Sequence, residues 1–309
     1  MIISKKASAF ILLIILVLLG YYVISHRQDF AVIYSLNYVY LPPLLLCSFL
    51  QMAVNGSFLK VFMEVFGHNL CTSEWLGLAI VNTMGNYLVP LKSGIVGKAV
   101  YLKKKYDFAY TDFASITLGF YILNFLLGSL TGLLLLTPVY FLYGYLNIKF
   151  LIVLLLICAG MLSILQLGIF CSRINTKNKL FDLLTKLAQG WNQLVLAKGS
   201  FLKAALLIIA NFGFVSGQYF FAYRAFNIPL AFINAWLLAV TSGLSIFFSF
   251  TPGNLGIQEA YVGFLSDFVG LGFNSGIVVA ALMRVAILVL AFTLGPYFSY
   301  HLLKKINQE

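Results

Sequence analysis

Residues 249–267 read SFTPGNLGIQEAYVGFLSD, and how this stretch is read decides the fold. Within it Pro252, Gly253, Asn254, Gly256, Gln258 and Glu259 interrupt an otherwise apolar C-terminal third. The whole chain is 61% hydrophobic and 9% charged, with a mean hydropathy of +0.97, whereas a soluble domain carries about 25% charged residues. A water-soluble protein is excluded, so TPGNLG belongs to a membrane protein and lies at bilayer depth. Proline and glycine there break backbone hydrogen bonds, and bare N–H and C=O groups cannot face lipid. The stretch is therefore a helix break facing packed protein or a wet cavity. Asn254, Leu255 and Gly256 open the helix that follows it.

Working outward, apolar runs long enough to span a hydrocarbon core, which needs roughly 20 helical residues, fall at 7–24, 38–66, 111–138, 149–171, 201–224 and 276–302. They are read as six full spans. The first follows Lys5 and Lys6 but is longer than a usual signal-peptide core and lacks a small-residue cleavage site, so it stays as an anchor. Two further apolar segments are interrupted: 75–105, broken at VPLKSG (89–94), and 231–271, broken at TPGNLG (251–256). Both breaks carry P-x-x-x-G-I, Pro90 to Ile95 and Pro252 to Ile257. Both follow a polar-flecked apolar helix and lead into a long span.

Charge sets the orientation, because Lys and Arg in short loops concentrate on the cytoplasmic side. With the N-terminus inside, sixteen basic residues from Lys5 to Lys305 lie inside, three lie outside (Arg27, Lys149, Arg224), and Arg284 falls within a span. Both termini are expected to be cytoplasmic. The count leaves open whether 231–271 forms two short spans or one re-entrant hairpin. The first interrupted segment is short enough for a hairpin dipping in from the cytoplasm. If the second is its counterpart, the two form an inverted repeat whose broken helices meet near the midplane. The expected fold is thus an all-α polytopic membrane protein, one integral domain over 1–309 with repeat halves at 38–138 and 201–302. Between spans, 172–200 places Leu180, Leu184, Leu187, Trp191 and Leu194 at helical spacing among lysines. This is the pattern of an amphipathic helix on the anionic lipids of the cytoplasmic leaflet, or of one that binds a partner.

The polar residues at depth are the candidate site. A helix N-terminus after each break offers N–H groups and partial positive charge to a phosphate or carboxylate. Lys92 and Lys98 add full charges at the first break, or else snorkel from a packing kink. Arg284, the ninth residue of its span, sits roughly 12 Å down the axis. A charge there costs about 2.5–3.5 kcal/mol on insertion scales and so faces the interior with a partner, for which Glu259 is the candidate. Polar residues also line single faces of other spans: Ser48, Gln51 and Asn55; Asn211 and Gln218; Asn234, Thr241, Ser245 and Ser249. Such groups bind helices together or line a polar path. GSLTG (128–132) and GFVSG (213–217) read as close helix packing.

Other chemistry lacks its residues. No G-x-x-x-x-G-K-[ST], G-x-S-x-G or H-E-x-x-H pattern occurs, and the three histidines sit near span ends. Cys47, Cys71, Cys158 and Cys171 have no metal or disulfide spacing. The net charge of +11 is dispersed among apolar runs rather than gathered on one face, which argues against nucleic acid. No metal or cofactor is expected.

NYLVPLKSGIVGKAVYLKKKY (86–106) before a long span, and FTPGNLGIQEAYVGFL (250–265) before LMRVAILVLAFTLG (282–295), resemble the lysylphosphatidylglycerol synthase transmembrane region, a flippase-like family. By that resemblance Asn86, Pro90, Gly94 and Lys98 match a first motif, Pro252, Gly253, Gly256 and Glu259 a second, and Arg284 a third. The chain departs from the pattern at Ile95 and Val96, where an acid is frequent, at Lys98, where arginine is usual, and at TLGFYILN (117–124), where an E-R-x-x-D-like element is expected. The resemblance implies the lipid-moving part alone, without the soluble aminoacyl-transfer domain that full-length synthases append. It implies translocation of a lipid with an anionic or phosphate-bearing headgroup across a prokaryotic cytoplasmic membrane. Two other classes stay open on the sequence: a membrane-embedded transferase acting on a lipid-linked sugar with Glu259 as base, and a non-catalytic subunit of a membrane glycosyltransferase.

Overall fold

The computed structural model describes residues 35–88, 93–143, 148–171, 196–248 and 251–306. The first expected span, the stretch with Pro90 and Lys92, residue Ser249 and nearly all of the 172–200 amphipathic segment lie outside these residues. Among the described residues the chain is helical and contains no strand. The helices are α1 (Leu41–Val65), α2 (Thr72–Leu88), α3 (Ser93–Tyr106), α4 (Tyr110–Tyr143), α5 (Ile148–Cys171), α6 (Lys198–Ala225), α7 (Phe232–Ser242), α8 (Ile257–Phe268) and α9 (Phe273–Ile306). Among the described residues, four helical stretches are long and apolar enough to cross a membrane: Tyr38–Val65, Tyr110–Pro138, Lys198–Ala225 and Phe273–Lys305. Shorter apolar helices are Ile148–Ile164, within α5, and Phe232–Ser245.

One order of elements recurs along the chain. α1 has 25 residues and ends in a turn where Gly67 takes φ 81° and the His68 N–H reaches back to the Met63 carbonyl. α6 has 28 residues and ends likewise, with Asn227 at φ 58° and the Ile228 N–H on the Tyr223 carbonyl. A left-handed residue at that position redirects the chain while satisfying the last helical carbonyls. A shorter helix follows each turn, α2 of 17 residues and α7 of 11, and a proline-containing break follows each shorter helix. Next come α3 of 14 residues and α8 of 12, and then α4 and α9 of 34 residues each.

The helices form two compact units. The first draws its described residues from Met1–Gln51, Ile80–Gly97 and Gly213–Tyr297, the second from Met52–Ala79, Lys98–Phe212 and Phe298–Glu309. In lipid no hydrophobic force drives helices together, so close approach of small residues and interhelical hydrogen bonds must do so. The first unit uses both. Gly217, in GFVSG, lies so close to Cys47 that a Cβ would come within 2.8 Å of its Sγ, and Gln218 donates to Gln51 at 2.9 Å. Tyr223 and Ser266, both fully buried, share a hydrogen bond of 2.5 Å. In the second unit Gly132, in GSLTG, admits the Leu154 side chain within 2.9 Å of where a Cβ would stand, joining α4 to α5. Gly56 similarly meets the backbone of Trp75. Leu134, Leu156 and Phe292 point outward, as a lipid-facing surface requires.

Candidate functional site

TPGNLG forms a tight irregular turn in the first unit. Two overlapping tight turns are closed by the Asn254 N–H on the Thr251 carbonyl and the Leu255 N–H on the Pro252 carbonyl, Gly253 and Asn254 both take left-handed φ (57° and 58°), and Gly256 takes φ 82°. The next helix opens at Ile257, later than the expected opening over Asn254, Leu255 and Gly256, because Gly256 sits at a dihedral that cannot continue a helix. The break frees polar groups, and most find protein partners. The Asn254 N–H returns to the Thr251 carbonyl at 3.0 Å, and Thr251 Oγ1 donates to the Leu255 carbonyl at 2.8 Å. Asn254 Nδ2 donates to the Ser245 carbonyl at 3.1 Å, while Asn254 Oδ1 is buried without a hydrogen-bond partner among the described residues.

The two ionisable groups close this turn. Glu259 accepts the Gly256 N–H on Oε2 at 2.7 Å, so the carboxylate caps its own helix from the third position. Its Oε1 accepts from Arg284 Nε. Arg284 then donates from Nη1 to the Gly253 carbonyl at 2.8 Å and from Nη2 to the Asn254 carbonyl at 3.3 Å. Arg284 is 8% exposed and Glu259 7%. Such a burial is tolerable because the charges neutralise each other and the guanidinium satisfies carbonyls that the break leaves over. Arg284 stands eleven residues beyond Phe273 in α9, roughly 16 Å along the helix at its standard rise.

The first break is built by close approach. The Gly94 N–H, at the start of α3, donates to Asn86 Oδ1 at 3.0 Å, and Ser93 Oγ donates to the Gly85 carbonyl at 2.7 Å. A Cβ on Gly94 would stand 1.9 Å from the Asn82 carbonyl oxygen. Asn86 and Gly94 are thus brought together as a cap and a crossing point. At both breaks one leading amide, of Gly94 or of Gly256, is occupied by a protein oxygen and is not offered to a ligand. Of the other expected residues, Lys98 belongs to the second unit, and Pro90 and Lys92 lie outside the described residues.

A family model described as the lysylphosphatidylglycerol synthase TM region matches residues 7–295. The chain belongs to this family. No curated protein and no solved structure matches it. The lysylphosphatidylglycerol synthase TM region match, together with the apolar helices, makes the chain a multi-pass membrane protein, and it takes in both breaks and Arg284.

In this family member Tyr87, shortly before the first break, reaches the second, and sequence reasoning missed it. Tyr87, on the last turn of α2, lies under the Arg284 guanidinium with Cζ 5.5 Å from the ring centroid. The same ring fills the space beside Gly253, where a Cβ would fall 2.3 Å from two of its carbons. Nothing in NYLVP marks this tyrosine, since aromatic residues are ordinary in apolar helices. Sequence reasoning also missed a second buried carboxylate. In the second unit Glu74, 2% exposed, accepts from the Cys71 N–H (3.0 Å), Tyr101 (2.8 Å), Tyr106 (2.9 Å) and Lys105 (2.8 Å). Lys305, near the end of α9, donates to Ser73 Oγ at 2.9 Å and touches Cys71 Sγ at 2.7 Å. Burial alone would push the Glu74 carboxyl up, but the hydrogen bonds from Cys71, Lys105 and Tyr101 hold it at about 2. The available signal was local: an acid three residues into a helix, the position from which Glu259 also caps.

Proposed function

We propose that the chain moves a lipid with an anionic or phosphate-bearing headgroup, such as a polyprenyl-phosphate sugar or a modified phospholipid, across a prokaryotic cytoplasmic membrane. The observation that carries this reading is the buried Arg284, held against the irregular TPGNLG turn by Glu259 and two carbonyls in a helix long and apolar enough to cross a membrane. A fixed guanidinium at depth suits a phosphate, because it replaces part of the hydration that the headgroup loses in hydrocarbon. Three of its five N–H groups are engaged by the turn, and the other two belong to Nη1 and Nη2. Acyl chains stay in lipid while the headgroup passes the breaks. The recurrence of element order supports alternating use of two equivalent halves, in the manner of inverted-repeat transporters.

We favour transport over catalysis because Glu259 has both oxygens engaged, one by Arg284 and one by the Gly256 amide. A buried carboxylate that holds the arginine and caps its own helix serves to keep the turn in shape, and neither contact places it against a substrate proton. The test is translocation by the purified protein in proteoliposomes, scored as headgroup accessibility from one side. Polyprenyl-phosphate sugars are compared with aminoacylated phosphatidylglycerol. Movement of one class is expected, and it should be lost in Arg284→Ala, Glu259→Ala and the charge-free pair Arg284→Met with Glu259→Leu. A folded wild type that moves neither class overturns the proposal.

A further inference from the structure

Tyr87 lies on a different element from each group it touches. Its ring belongs to the last turn of α2, just before the first break, while Gly253 lies in the second break and Arg284 in α9. The contact is with the ring: Arg284 Cζ stands over it at 5.5 Å, and a Cβ on Gly253 would meet its Cδ1 and Cε1. Glu259 and the two carbonyls accept from its N–H groups, and its Cζ stands over the Tyr87 ring. Edge contacts alone leave a guanidinium free to tilt about the line of its acceptors. The negative quadrupole of the ring favours the cation over it, so a tilt that carries the guanidinium away loses that attraction.

We propose that Tyr87 is a positioning residue of the headgroup site. It holds the Arg284 guanidinium over its ring beside Gly253, so that the remaining Nη hydrogens meet a phosphate in one orientation. This inference rests on the lipid-moving reading.

The experiment measures binding of a fluorescent polyprenyl monophosphate to the full chain in nanodiscs, with the matching polyprenol as the uncharged control and thermal unfolding recorded on every sample. Tyr87→Phe keeps the ring and is expected to bind within about twofold of wild type, whereas Tyr87→Leu is expected to weaken phosphate binding by about tenfold. Both variants should unfold near the wild-type temperature, and polyprenol binding should not change. Tyr87→Leu binding as tightly as wild type overturns the inference, and so does a loss of binding that only tracks a loss of folded protein. If wild type binds monophosphate no better than polyprenol, the functional reading fails and the inference falls with it. The wild-type arm therefore separates failure of the function from failure of Tyr87 alone.

Discussion

Arg284 is stable at its depth because every group it neutralises is one the fold would otherwise leave exposed to a low-dielectric interior. Removing one partner of such a pair leaves an uncompensated buried charge. Arg284→Ala should therefore destabilise by about 3–5 kcal/mol, read from unfolding in detergent. Replacing both partners, Arg284→Met with Glu259→Leu, should recover much of that stability while leaving lipid movement absent, whereas a purely structural pair predicts that both recover. Gly253 gives a second test at this scale. An alanine there meets both a left-handed dihedral and the Tyr87 ring, so Gly253→Ala should cost about 2–4 kcal/mol. Combining it with Tyr87→Leu should return the part due to overlap, and a double variant as unstable as Gly253→Ala alone would show that the two do not touch.

At the scale of elements, the α2–α3 hairpin depends on a helix crossing tighter than any side chain allows. Gly94 faces the Asn82 carbonyl, and its own amide is capped by Asn86. Adding one methyl at Gly94 forces backbone to move, whereas removing the cap loses a single hydrogen bond. Asn86→Ala should thus cost about 1 kcal/mol, and Gly94→Ala should cost more and open the hairpin to protease. Equal sensitivity of the two variants would contradict this account. The second break needs no such crossing, because its turn is tied by Arg284 and Asn254 instead. The residues flanking the first break and those forming the second are therefore held by different means.

At the scale of the whole molecule, the Glu74 cluster ties the start of α2 to the end of α3 within the second unit. Its carboxyl is held at about 2, against an ordinary value of 4.5. A depressed folded value means that the stabilisation is present above the unfolded value and lost as pH falls through the folded one. Stability in detergent should accordingly hold steady above pH 5 and fall between about pH 4.5 and 2, by an amount on the order of 3 kcal/mol. Glu74→Gln should be less stable at neutral pH and should lack that fall. An unchanged acid profile in the variant would assign the pH dependence elsewhere.

The sequence by itself determined that this is a helical membrane protein, where its two breaks lie, and that Arg284 needs a buried partner near TPGNLG. Those conclusions follow from quantities additive along the chain: hydropathy over a window, the φ preferences of proline and glycine, and the cost of a charge in hydrocarbon. Only the tertiary structure decided that Asn86 caps Gly94, that Arg284 bonds the carbonyls of Gly253 and Asn254, and that Tyr87 stands between them. It also brought Tyr101, Tyr106 and Lys105 onto Glu74 from thirty residues away. The physical reason is that an aromatic ring or a carbonyl has the same local signature wherever it points, and its partner is chosen only when helices distant in sequence pack at a particular rotation.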